Sequence, residues 1–170
     1  MNLYFRLLRI LLISRWQSVI TRFGKCLTRF RVWPTDLDVL GHMNNGVYLS
    51  IMDLARVNLL TRCGYARPMS RLGFFPVIVA ETITFKKSLR VFRTFDIQTQ
   101  IIGWDEKNFY LEQYFIRNGE NYAHAYIKAR ILHKSGKKFT AAECMQAIGE
   151  NTESPPLPDK IRYWIPTTEM

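Results

Sequence analysis

The chain has 170 residues, 48% of them hydrophobic, and 24 Lys and Arg against 14 Asp and Glu give it a formal net charge of +10. That length buries one substantial core and not two, so a main domain at 23–150 is expected, preceded by a basic apolar helix in 1–22 and followed by an extension at 151–170. Cys26, Cys63 and Cys144 are odd in number and widely spaced, which excludes a disulfide framework and a zinc site and suits a reducing, cytoplasmic compartment.

The excess charge is concentrated at the start, where the first 35 residues hold Arg6, Arg9, Arg15, Arg22, Lys25, Arg29 and Arg31 and no acidic residue. No nucleic-acid motif accompanies it, and the aromatics alternate in strand patterns, so nucleic acid is not an expected partner. Residues 3–20 read as a helix with two apolar stripes, one of Phe5, Leu8, Leu12, Trp16 and Val19 and one of Leu3, Leu7, Ile10 and Leu11. Its longest wholly apolar run is Ile10 to Ile13, far short of the roughly 20 residues of a membrane span. Arg9 breaks the apolar centre that a secretory signal requires. Two arrangements remain, a helix docked on the domain or its dimer and a basic helix in peripheral contact with an anionic membrane surface.

Residues 25–35 read as extended up to Pro34, which lacks a backbone donor. A helix is predicted over 45–62, its apolar positions covering much of its circumference, with Gly64 as its stop and a loop through Pro68 and Gly73 after it. Four strands follow. The first, 76–87, places Val77, Val79, Glu81, Ile83 and Phe85 on one face, and the second, 94–104, alternates Phe95, Ile97 and Ile101 with polar residues. The third, 109–117, is joined by Asn118-Gly119, a hairpin signal, to the fourth at 122–133, where Ala123, Ala125, Ile127, Ala129 and Ile131 share a face. A short helix at 140–149 and a linker at Pro155, Pro156 and Pro158 complete the chain. One strand, a long buried helix and an antiparallel meander make an α+β plan with about five strands wrapped around one long central helix.

Reactive groups are densest immediately before that helix, at Asp36, Asp38, His42, Asn44 and Asn45. A helix start carries unpaired N–H groups and partial positive charge, so it can hold a developing oxyanion. A carboxylate just upstream can serve as general base or nucleophile. The same residue types are also common turn and cap residues.

The segment Asp36-Leu37-Asp38-Val39-Leu40-Gly41-His42-Met43-Asn44-Asn45-Gly46-Val47-Tyr48 resembles the motif that opens the central helix of 4-hydroxybenzoyl-CoA-type thioesterases. It also resembles the corresponding motif of plant acyl-carrier-protein thioesterases, and the whole resembles bacterial relatives of thioesterase superfamily member six. The resemblance implies a hotdog fold and an acyl-CoA thioesterase, with coenzyme A as part of the substrate, no separate cofactor or metal, and a homodimer or homotetramer. It puts Asp38 in the place of the essential carboxylate and the Asn45 amide at the oxyanion position, with Gly46 beside it among the substrate-binding residues. His42 matches a histidine of the plant motif, although Leu40 stands where those enzymes have asparagine. A non-catalytic acyl-thioester or lipid-binding protein and a hotdog hydratase or dehydratase are the alternatives.

Elsewhere, Lys86, Lys87 and Arg90, with Arg93, form a basic turn suited to the phosphates of coenzyme A, and Lys134, Lys137 and Lys138 form a weaker one. Asp36 reads as a solvent-facing turn residue. Glu81, on an apolar strand face, requires a partner and reads as half of a structural ion pair. Asp53 and Arg56 are spaced to pair within the helix. Met69, Phe74 and Phe75 are either core or the lining of an apolar tunnel.

Overall fold

The computed structural model describes residues 3–161 and 164. In chain order the elements are α1 (Leu3–Ser14), β1 (Cys26–Arg31), a 3-10 turn (Pro34–Asp36), α2 (Asn45–Arg62), α3 (Ala66–Leu72), β2 (Phe74–Phe85), β3 (Thr94–Trp104), β4 (Phe109–Arg117), β5 (Glu120–His133) and α4 (Ala141–Ala147). The strands form one antiparallel sheet in the order β1-β3-β4-β5-β2.

The helix α2 is capped by Asn44 at its start and ends where Gly64 takes a left-handed φ of 78°. It lies against the sheet through Tyr48, Ile51, Met52, Ala55 and Leu59, all buried. The Tyr48 ring meets Phe85 at 4.9 Å and Phe115 at 4.8 Å. Small side chains at Ala123, Ala125 and Ala129 of β5 keep that face of the sheet low. Between β4 and β5, Asn118 and Gly119 both take positive φ, 51° and 75°. Both signs positive is the two-residue turn that matches strand twist.

Three expectations are corrected. First, β2 begins at Phe74 and carries an irregularity between Ile78 and Ala80, so the alternation changes sides at Val79. Glu81, Ile83 and Phe85 face inward as read, but ahead of the bulge it is Phe74, Pro76 and Ile78 that do so, while Phe75 and Val79 line a groove on the other face. Second, the segment around Pro68 is the helix α3. Pro68 is its third residue, where a missing N–H costs nothing, and Gly73 ends it with φ 81°. Third, α1 stops at Ser14 instead of continuing to 20. The Ser14 hydroxyl donates to the Leu11 carbonyl at 3.0 Å, a local bond that competes with the helical ladder.

The tail crosses the sheet at β3. The Ser154 hydroxyl accepts from the Trp104 amide at 2.8 Å. A Cβ at Gly103 would come within 2.8 Å of Leu157 and 2.9 Å of Ser154, so only glycine lets the tail lie this close. Most of the last dozen residues lie outside those described.

Candidate active site

The loop between the 3-10 turn and α2 doubles back on itself. The Asp38 amide donates to the His42 carbonyl at 2.9 Å, and the Gly41 amide donates to the Asp38 carbonyl at 3.1 Å, with Gly41 at φ 76°. This small turn brings the two side chains together, His42 Nδ1 standing 3.1 Å from Asp38 Oδ2. The other carboxylate oxygen accepts the Leu40 amide at 2.9 Å. Both side chains stay accessible, 22% exposed for Asp38 and 32% for His42.

The helix start lies directly after this pair. The Asn44 side chain accepts the Gly46 amide at 2.8 Å and the Asn44 carbonyl accepts the Val47 amide at 2.9 Å. A Cβ at Gly46 would sit 3.2 Å from the Asn44 Oδ1, so glycine gives the cap its room. The Gly46 N–H is thus committed to the cap and is not an open oxyanion donor. The Asn45 N–H has no acceptor among the described residues, and Asn45 is exposed. An amide there carries the partial positive charge of the helix end outward.

Of the basic turn, one member is brought to the loop by the backbone. His42 and Arg90 form an isolated antiparallel bridge, and the Met43 amide donates to the Leu89 carbonyl at 2.8 Å. Arg90 is exposed beside the Asp38–His42 pair. Lys87 instead pairs with Glu120 at 2.9 Å, and Lys86 has no ion-pair partner among the described residues. Lys137 and Lys138 line a groove of about 750 Å3 on the outer face of the sheet with Phe75 and Val79.

Asp36 is a correction. It is buried and ion-paired with the buried Arg6 of α1, and its Oδ2 also accepts the Trp33 amide at 2.8 Å. Arg6 was not legible as a partner from sequence, since 30 residues separate the two. The available signal was an apolar helix carrying arginines with no acid of its own to meet them. Two residues apart, Asp36 fastens α1 to the loop while Asp38 faces solvent.

Glu81 meets Arg56 at 2.8 Å, and Arg56 also holds Asp53 and the Gln113 side-chain oxygen Oε1, the latter at 2.9 Å. Gln113 then donates to Thr99 at 2.9 Å and to the Met52 carbonyl at 3.2 Å. Burial raises the Glu81 pKa against the pull of Arg56. The two pairs read separately from sequence are one network, and it ties α2 to β2, β3 and β4. Beside it lies an apolar cavity of about 310 Å3, lined by Val57, Leu60, Met69, Phe74, Leu111 and Met145, with Asp53 and Arg56 at its polar edge.

The five-stranded antiparallel sheet with α2 packed against it is the architecture of a hotdog-fold protein. The family model described as the thioesterase-like superfamily matches residues 32–165, and the chain belongs to that family. Over 136 residues it is 37% identical to protein THEM6 of Xenopus laevis, covering 79% of this chain and 64% of the relative. Protein THEM6 of Danio rerio is 31% identical over 137 residues, covering 79% and 66%. The chain thus spans about two thirds of the length of these relatives. Among solved structures, a gentisyl-coenzyme A thioesterase is 29% identical with a TM-score of 0.58, covering 62% of this chain and 88% of its own. The fold is shared with the probable thioesterase YbaW of Escherichia coli, at 21% identity and a TM-score of 0.65, covering 75% and 99%.

Proposed function

We propose that the protein hydrolyses an acyl-CoA thioester to the free acid and coenzyme A at the Asp38–His42 loop. The observation that carries this reading is a partly exposed carboxylate, held by His42 and the Leu40 amide, in the loop that leads straight into the open Asn45 amide of α2. In the general-base course, Asp38 takes a proton from water as the water oxygen bonds to the thioester carbonyl carbon. The carbonyl oxygen becomes an oxyanion facing the Asn45 N–H. Collapse breaks the C–S bond, and the departing thiolate takes up a proton to leave as the thiol. In the nucleophilic course the Asp38 oxygen attacks instead, and water resolves the resulting anhydride. His42 holds the carboxylate through Nδ1 in both.

Arg90 is the residue best placed for a phosphate of coenzyme A, being exposed and bridged to His42 by backbone. The apolar cavity beside α2 suits an acyl tail, its lining being almost wholly hydrocarbon. The unpaired edge of β2, with Phe75, Ile78, Val79 and Phe85 exposed along it, favours a homodimer that covers it. In this reading α2 is the central helix about which the sheet closes.

The test is release of free thiol from short-chain, long-chain and aromatic acyl-CoAs by the wild type and Asp38→Asn. Hydrolysis of at least one substrate by the wild type, lost in the variant, is expected. Full activity in the variant, or none in the wild type across the panel, rejects the reading.

A further inference from the structure

The helix α1 is built inside out. The side it turns to the protein carries Arg6, Ile10 and Ser14, buried, with Leu7 half-buried. The opposite side carries Tyr4, Phe5, Leu8, Leu11 and Leu12, all exposed, Tyr4 to 78%. At 100° per residue these five fall in one stripe facing away from Arg6. Beyond the helix, Trp16 and Val19 are 90% and 85% exposed. A monomeric surface rarely shows so many large apolar side chains together unless something covers them.

The docking of α1 is nonetheless firm. Arg6 is ion-paired to Asp36 at one end, and after the helix the Ile20 amide donates to the Arg62 carbonyl at 3.2 Å while Arg62 Nε donates to the Ser18 carbonyl at 3.1 Å. The apolar stripe is therefore held outward and is not a helix waiting to turn over. The Arg6–Asp36 pair fastens the buried side of α1 to the segment ahead of the Asp38–His42 loop, and the tip of that loop, Val39 and Leu40, is apolar and exposed in its own right. Nearby, Phe92 leaves its ring 57% exposed on a left-handed backbone, φ 61°, that bulky residues seldom adopt. Its amide is pinned to the Val32 carbonyl at 2.8 Å.

We propose that this surface, the outer stripe of α1, docks on an anionic lipid bilayer. Charge selects the occupant. The first 35 residues hold seven basic side chains and no acidic one, and Arg9, Arg15, Lys25 and Arg31 have no ion-pair partner among the described residues. A second copy would bring an equally basic helix against this one, whereas acidic headgroups neutralise it. At 12 residues α1 lies along the interface, and no described helix is long and apolar enough to cross a membrane.

The experiment is co-sedimentation of the full chain with phosphatidylcholine vesicles and with vesicles containing about one third phosphatidylglycerol. Binding to the anionic vesicles, weakened by high salt, is expected. The variant Phe5→Ser/Leu8→Ser/Leu12→Ser should bind about tenfold more weakly or worse with its melting temperature preserved, because all three side chains are already exposed. Arg9→Gln/Arg15→Gln should reduce the preference for anionic over neutral vesicles. No binding by the wild type, or equal binding by the triple variant, overturns the proposal. So does a triple variant that dissociates into smaller species in sedimentation velocity while keeping its vesicle affinity, since a second copy then covers the stripe. None of these readouts depends on thioester hydrolysis.

Discussion

Two carboxylate–histidine pairs lie in different parts of this molecule, one in the loop before α2 and one on strands β4 and β5, and their separations are nearly the same. His42 stands 3.1 Å from Asp38, and His124 stands 2.9 Å from Glu112. Their surroundings differ. On the outer face of the sheet, Glu112 Oε1 accepts from His124, from the Tyr114 hydroxyl at 2.8 Å and from Lys160 at 3.2 Å. His124 is stacked on Tyr114 with centroids 4.1 Å apart and meets the edge of Tyr126 at 4.5 Å. Burial alone would raise the Glu112 pKa, but the three donors outweigh it and hold the group at about 2. A carboxylate so satisfied is a poor base with no room for a substrate, and it fastens Lys160 of the tail to the sheet. Asp38 has one histidine, one loop amide, accessible surface and an open helix-end amide beside it. A carboxylate–histidine pair is therefore not a site in itself; the accessible surface around Asp38 is what supports the role proposed for it.

Substitution separates the pairs most sharply at the acids. Asp38→Asn is expected to lower kcat/KM for the best acyl-CoA by about a thousandfold, the range of a lost general base, while Glu112→Gln stays within about twofold of wild type. Comparable losses from both would erase the distinction. The histidines come next: His42→Gln, which orients the acid less well, should cost roughly ten- to a hundredfold in kcat, and His124→Gln should leave kcat unchanged. Smaller again is Arg90→Gln, for which KM should rise about fivefold with kcat nearly constant, as for a phosphate contact made equally in ground and transition states. A fall in kcat at constant KM would move Arg90 from binding to chemistry.

Sequence made much of this comparison visible on the Asp38 side and little of it on the other. Asp38, His42 and Asn45 fall within eight consecutive residues, so their nearness follows from one tight turn and a helix start. Strands β3 and β4 run between the expected limits because turn residues bound them at Asp105 to Asn108 and at Asn118-Gly119, although the β3–β4 pairing is irregular between Ile101 and Gly103. The run Phe74 to Ala80 is apolar at nearly every position, so either face reads as the core face, and the bulge at Val79 leaves no local signature. Arg6–Asp36, Arg56–Glu81 and Glu112–His124–Lys160 join separate elements. Each partner needed another charge, but only the fold says which. Arg90 lies between, named from its charge and brought to His42 by a backbone bridge that no side-chain pattern announces.

The smallest expected effect is in acid stability, and it falls on the Glu112 pair. The Glu112 pKa falls from an ordinary 4.5 to about 2 on folding, so the unfolded chain binds this proton more readily than the folded one. The stabilisation is fully present above about pH 4.5 and is lost as pH falls from there toward about 2. The shift corresponds to roughly 2 to 3 kcal/mol after allowing for the half-exposed Lys160. Urea unfolding of wild type and Glu112→Gln across pH 2 to 7 should therefore give curves separated near neutrality that converge in acid. Parallel curves at all pH values would mean that Glu112 contributes through packing and not through its charge.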